Sequence, residues 1–312
     1  MRVLVTGARG FVGRHLVPAL RARGHEVIEA DRTPHPDVIP LDLGDALGVR
    51  GAVELARPDA IVHLAGQAFV PASLAAPAET FAVNAVGTLA LLETLRAVRD
   101  DGIAPRLVVA SSGDVYGAQP AAAYPVRETA PTLPRNPYAA SKIAAEALAV
   151  AYARSFGVDA VVTRAFNHVG PGQDDRFAVP AFAGQLARIA AGETRTMLVG
   201  NLEAVRDVLD VRDVCEAYAL LAEGRGDAGE IYNVASGTGT AMREVLRTLI
   251  TIAGVPVEVR EDPARMRPAD VPIAVGDATK LREATGWAPR IPLPAALRAV
   301  YDDARARLGV SS

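Results

Sequence analysis

Five short runs of Val, Ile, Leu and Ala punctuate the first 165 residues: 2–6 (RVLVT), 26–30 (EVIEA), 60–65 (AIVHLA), 106–112 (RLVVASS) and 159–166 (DAVVTRAF). Their apolar residues are continuous rather than alternating, so each run predicts a strand buried on both faces, as in a parallel sheet. Helix-length stretches at 12–23, 79–99 and 137–156 separate them. Strand and helix in alternation predict βαβ units and an α/β fold with a doubly wound parallel sheet.

After residue 166 the rhythm changes. NHVGPGQDDRF is rich in Gly, Pro and Asp and predicts an irregular loop. Helices are expected near 178–192 and 211–223, with TMLVG as a strand between them. EIYNVAS (230–236) predicts a strand that returns to the first sheet, and ATKLREATG a helix closed by Gly286. The expected organisation is a first domain over 1–166, rejoined by the strand near 230–236. A smaller, interleaved α/β lobe covers 167–312. The cleft between them is the expected ligand site.

Composition narrows the function classes. A chain of 312 residues suits one large or two modest domains, and half its residues are apolar, ample for a core. A net charge of −3 leaves no basic excess for nucleic acid. The single cysteine, Cys215, reads as a small core residue rather than part of a disulfide framework, and no metal site is expected. No uninterrupted apolar run approaches ~18 residues, so no membrane span is expected. MRVLVTG enters a strand directly, without a signal peptide, and the expectation is a soluble cytoplasmic protein.

VTGARGFVGRHL places Gly7, Gly10 and Gly13 between the first strand and the first helix. Glycines here permit a tight turn, close backbone approach to a pyrophosphate and close helix–sheet packing, while the helix N-terminus offers N–H groups to phosphate. The spacing is G-x-x-G-x-x-G, and the strand–loop–helix setting points to dinucleotide binding. Asp31, closing the second strand, can accept both ribose hydroxyls of NAD and repel the 2′-phosphate of NADP. Arg32 can instead hold that phosphate or stack on adenine, and Asp31–Arg32 can also simply start a turn. The cofactor expected is NAD, with NADP the alternative. Asp42 is a candidate for the adenine amine or an ordinary turn residue.

VVASSGDVYG ends the fourth strand with Ser111 and Ser112, and RNPYAASK opens a helix with Tyr138 one turn ahead of Lys142. The carboxyl ends of strands in such a sheet face the ligand crevice. Ser112 can donate a hydrogen bond to a carbonyl oxygen, and Tyr138 can pass a proton to or from that oxygen. Lys142 can stabilise tyrosinate, lowering the tyrosine pKa from about 10 towards working pH, and bind the nicotinamide ribose. Hydride moving to carbon while a proton moves to oxygen needs these parts.

With TGARGFVG, HLAG, NAVGT, ASSGDVYG and YAASK in this order, the chain resembles the extended short-chain dehydrogenase/reductase family over essentially its whole length. The resemblance implies a Rossmann-type domain, a smaller substrate-binding lobe, the Ser-Tyr-Lys set and nucleotide-sugar substrates. It also implies cofactor contacts from Phe11, Val12, Leu43, Leu64, Ala65 and Gly66. TRAFNHVGPGQ, VGNLEAVRDVLDVRDV and RMRPADVPIAVGDATKLREATGW resemble the branch acting on GDP-linked 6-deoxyhexoses. That implies sugar-nucleotide contacts from Asn167, Val179 and Asn201. Arg206 and Arg267 would hold the diphosphate, as two arginines from separate loops can, and Asp270 would hold a nucleoside hydroxyl.

Within that branch the expected reaction is reduction of the 4-keto group of GDP-4-keto-6-deoxy-D-mannose to GDP-D-rhamnose. A 4,6-dehydratase comes second and a nucleotide-sugar 4-epimerase third. Dehydratases of the family carry Glu two residues after the catalytic Ser or Thr; here that position is Asp114, behind the side-chain-free Gly113. A silent NAD(H)-binding regulator, the non-enzyme alternative, would be expected to lack the tyrosine or lysine. The helices at 79–99 and 137–156 hold more Ala, Leu and Val than one buried stripe needs, and the resemblance implies a homodimer through a four-helix bundle.

Overall fold

A computed structural model describes residues 1–266 and 271–309. β1 (Arg2–Thr6) leads into α1 (Phe11–Ala22), β2 (Glu26–Asp31), β3 (Val38–Pro40), α2 (Ala46–Ala56) and β4 (Ala60–His63). The short helices α3 (Val70–Ala75) and α4 (Pro77–Phe81) pass through a wide π turn at Ala82–Val86 into α5 (Gly87–Ala97). β5 (Arg106–Ser112), α6 (Pro137–Phe156) and β6 (Ala160–Ala165) follow. Then come β7 (Asn167–Val169), α7 (Ala178–Ala190), β8 (Thr196–Val199), β9 (Val205–Asp210), α8 (Val211–Ala222) and β10 (Ile231–Val234). The chain continues through β11 (Gly239–Ala241), α9 (Met242–Ala253), β12 (Glu258–Glu261), β13 (Ile273–Ala274), α10 (Thr279–Thr285) and α11 (Leu293–Arg307).

The large sheet has the order β10-β6-β5-β4-β1-β2-β3, each neighbouring pair parallel. β10 does return to the first sheet, as its apolar run predicts. The chain direction across the sheet reverses between β1 and β4, so their carboxyl ends open a crevice there. Apolar side chains pack both faces: Leu16, Val17 and Leu20 of α1 with α8 on one, and α2, α5 and α6 on the other. α1 shows why it docks there: Gly13, Leu16, Val17 and Leu20 fall on one stripe at i, i+3, i+4 and i+7, and all are buried. A third core joins α7, α9 and α11 beside a small sheet in which β9 pairs with β7, β11 and β13.

The helical stretch Pro77–Asp101 is long and apolar enough, by length and composition, to cross a membrane, with mean hydropathy 1.4 over its most apolar window. Glu79, Asn84, Thr88 and Glu93 interrupt its apolar run, so the stretch contains no uninterrupted span. Half of that window is buried inside the protein.

Candidate active site

The glycine loop lies at the switch between β1 and β4. Gly7 adopts φ +68°, and a Cβ there would stand 2.8 Å from the Ala65 nitrogen. A Cβ at Gly13 would meet the Ala8 and Gly7 carbonyl oxygens at 2.4 and 2.5 Å. Gly10 is the N-cap of α1 and supplies no side-chain cap, so the first-turn N–H groups of Phe11, Val12 and Gly13 face the loop uncapped by side chains. This cradle, which side chains would fill, fits a dinucleotide pyrophosphate. Phe11 stacks its ring on His168 of β7, 6.0 Å between centres, tying the loop to the second lobe. Val12 packs against the core beneath.

Asp31 ends β2 beside this loop. Its two oxygens accept the Arg9 and Thr33 N–H groups at 3.0 and 2.9 Å, and each retains a lone pair for a ribose hydroxyl. Arg32 is exposed next to it. Asp42 is exposed and accepts the Gly44 N–H at 2.8 Å, the geometry of a turn residue, while Leu43 is buried beneath α5. Leu64 and Ala65 continue from β4 and are held by Thr6, whose carbonyl and hydroxyl accept their N–H groups. Gly66 follows; a Cβ there would stand 2.9 Å from Asn84 Oδ1 and 3.6 Å from Lys142 Nζ. The loop after β4 thus runs directly against α6.

α6 starts where its sequence says it should. Asn136 caps it by accepting the Ala139 N–H at 2.8 Å, Pro137 occupies the first turn, and Gly157 closes it at φ +66°. Tyr138 and Lys142 share a face by their four-residue spacing. That face lies at the carboxyl end of β5, where Ser112 accepts the Asp114 N–H at 3.1 Å. Tyr138 is buried, and burial first, then the negative charge of Asp114, raises its phenol above the ordinary value, with the Ser112 hydroxyl opposing the rise. Lys142 Nζ donates to the Ala110 carbonyl at 2.8 Å and lies 5.9 Å from the Tyr138 ring centre. Burial lowers the Lys142 ammonium to about 8, with Glu146 opposing the fall. The expected lowering of the tyrosine pKa by Lys142 is therefore not what this structure holds. The ammonium points to a backbone carbonyl, and desolvation dominates the phenol.

Five residues of the site carry no signal strong enough to be singled out from sequence. Asn84, in the π turn, accepts the Gln67 N–H at 2.8 Å and donates to the Gln67 carbonyl and the Ser141 hydroxyl at 2.9 Å. Ser141 in turn donates to the Tyr138 carbonyl at 2.7 Å, so the β4 loop and α6 are tied together. A polar residue inside an apolar helical run was the available clue. Phe166 is buried against Gly113, where a Cβ would stand 3.0 Å from its ring. Glu146 and Arg164 form a buried pair, which only the fold brings together.

Of the residues expected to contact a sugar nucleotide, the described ones lie on β7, α7, β9 and the loop before β9. Asn167 starts β7 and is exposed. Val179 buries its side chain in that lobe's core, in the first turn of α7. Asn201 accepts the Glu203 N–H at 2.9 Å in the exposed loop between β8 and β9. Arg206 is half-buried on β9, opposite Thr240 of β11 and Ala274 of β13, and donates to the Val205 carbonyl at 2.9 Å. Beside it, the buried Asp207 accepts the Ser236 hydroxyl at 2.6 Å and the Ser236 and Gly237 N–H groups at 2.9 Å, anchoring this strand. Arg267 and Asp270 lie outside the described residues.

Comparison with known proteins agrees with this geometry. A family model described as GDP-mannose 4,6 dehydratase matches residues 4–300. GDP-6-deoxy-D-mannose reductase of Pseudomonas aeruginosa is 42% identical over 98% of this chain and 98% of its own length. The structure of RMD from Pseudomonas aeruginosa complexed with NADPH superposes with a TM-score of 0.88 at 39% identity, covering 98% of this chain and 99% of that one. UDP-glucose 4-epimerase from Thermus thermophilus, in complex with NAD, has a TM-score of 0.85 at 38% identity, covering 98% and 99%. With the glycine cradle, the Ser-Tyr-Lys set and a match over nearly its full length, this chain belongs to the GDP-mannose 4,6 dehydratase family of NAD(P)-dependent short-chain dehydrogenase/reductases.

Proposed function

We propose that this chain is an NAD(P)-dependent nucleotide-sugar oxidoreductase that reduces the 4-keto group of GDP-4-keto-6-deoxy-D-mannose to GDP-D-rhamnose. The observation that carries this reading is the similarity to the GDP-6-deoxy-D-mannose reductase of Pseudomonas aeruginosa, 42% identical over 98% of both chains, beside Ser112, Tyr138 and Lys142 at the carboxyl end of β5. Reduction of a ketone needs a proton donor at its oxygen, and the Tyr138 phenol is the group placed to give one. The dinucleotide, when bound, supplies the hydride. Ser112 orients the carbonyl oxygen, Tyr138 delivers the proton to it, and Lys142 supplies positive charge as that oxygen takes up electrons.

One further observation supports the reading. Where dehydratases of the family carry Glu, two residues after the serine, this chain has Asp114, one methylene shorter. Dehydration stays the second reading because Asp114 is close enough to Tyr138 for its charge to be felt.

Purified protein with GDP-4-keto-6-deoxy-D-mannose should consume NADPH or NADH steadily. Tyr138→Phe should lower kcat about 10²–10⁴-fold, the usual contribution of one positioned acid. A keto-sugar accumulating from GDP-mannose with catalytic NAD, and no consumption in the first assay, would assign dehydration instead. Under the reductase reading we expect a two-domain division near residue 166, a cytoplasmic setting, and a homodimer through α4, α5 and α6. Phe81, Val86 and Leu148 line an apolar groove of about 430 Å3 on those helices, which supports that assembly.

A further inference from the structure

Tyr138, Lys142 and Glu146 are spaced four residues apart on α6, so one helical face carries a phenol, an ammonium and a carboxylate in succession. Glu146 is 3% exposed. It accepts the Ser111 hydroxyl at 2.5 Å and the Arg164 guanidinium through Nε at 3.0 Å and Nη2 at 2.7 Å. Ser111 and Arg164 are directly opposite in the β5–β6 register, so the carboxylate clamps both strands one residue before Ser112 and Ala165. Lys142 bonds the carbonyl of Ala110, the residue before Ser111. We propose that Glu146 is a positioning residue for this site, bracing the Lys142 ammonium against the carboxyl end of β5 while Ser111 and Arg164 hold the carboxylate itself in place.

The proposal rests on the reading of Lys142 as the working cation. A buried arginine–carboxylate pair with no role beyond stability can often be replaced by apolar side chains at no loss. Here the carboxylate has a second task, one helical turn from an ammonium that burial disfavours. The other titratable groups around this face are few. His63 on β4 is neutral and feels the Lys142 charge. Asp114 and Tyr218 act on Tyr138, and Tyr116 lies against Arg164. Arg154 lines the same outer groove as Glu146 and Arg164. Of all these, Glu146 is the group whose charge acts on Lys142.

The chain lends itself to a direct test because it has only two lysines, Lys142 and Lys280, among 33 basic residues. Lys280 bonds Glu230 and the Ile231 carbonyl at 2.6 and 2.8 Å and serves as an internal reference. In the full chain labelled with [13Cε]lysine, two signals are titrated against pH. We expect Lys142 to titrate near 8 in the wild type, and a unit or more lower in Glu146→Gln with Lys280 unmoved. Glu146→Gln leaves Arg164 without its counter-ion, and if that variant fails to fold, Glu146→Gln/Arg164→Met removes both charges and should show a fall of the same sign. A Lys142 midpoint that stays in place in the folded variant, or an equal movement of both lysines, would overturn the proposal. The reading uses no substrate, so a wrong assignment of the reaction leaves it intact. If reduction is the reaction, the alkaline limb of kcat/KM moves down by the same interval.

Discussion

His63, in the motif HLAG, sits between the Thr6 and Thr88 hydroxyls at 2.8 and 3.3 Å and is 3% exposed. Burial, helped by the Lys142 charge, lowers its pKa to about 3, so the folded chain keeps it neutral. The unfolded chain protonates it below about 6.5. Between those values the unfolded state binds the extra proton, and this group's contribution to stability is lost as pH falls from about 6.5 towards 3, at up to ~1.4 kcal/mol per pH unit. Urea unfolding at pH 7 and pH 5 should show a smaller loss in His63→Gln than in the wild type; parallel losses would mean that His63 does not titrate on unfolding. Tyr138 and Lys142 teach the same lesson on the working side of the site. Their identity and spacing are readable in the sequence, but desolvation, which decides the direction of each pKa, depends on what α6 packs against.

At the scale of elements, α1 and α6 begin where local chemistry dictates. Gly10 opens one, and Asn136 with Pro137 opens the other. The glycine loop makes the sharper prediction, since Gly13 has no space for even a methyl group beside two carbonyl oxygens. Gly13→Ala should weaken NADH and NADPH binding at least ten-fold and destabilise the fold by ~1–3 kcal/mol, the range for a forced fit. Fluorescence titration with both dinucleotides checks this, and wild-type affinity would remove the loop from the cofactor site. The π turn at Ala82–Val86 and the short strand β3 were not readable in the same way. Each depends on tertiary partners: Asn84 on the Gln67 loop, and β3 on the neighbouring edge of β2.

Across the whole molecule, the exposed side of α4–α6 is one surface the fold leaves apolar: Phe81 is 47% and Val86 51% exposed. If it joins two copies, light scattering at micromolar concentration should give twice 32.6 kDa for the wild type, and Leu148→Asp should halve that mass without unfolding the chain. A wild-type mass of 32.6 kDa would remove the dimer. The parallel sheet, the glycine loop and the placing of Tyr138 one turn ahead of Lys142 on a helix were legible in the sequence. Each rests on short-range rules: continuous apolar runs, a loop that only glycine fits, and a four-residue helical spacing. Tertiary structure alone decided that Ser111, Glu146 and Arg164 meet, that Phe166 packs on position 113, and that desolvation raises the Tyr138 phenol. These depend on contacts between residues 18 to 53 apart along the chain, and on the desolvation that packing creates, which no local pattern encodes.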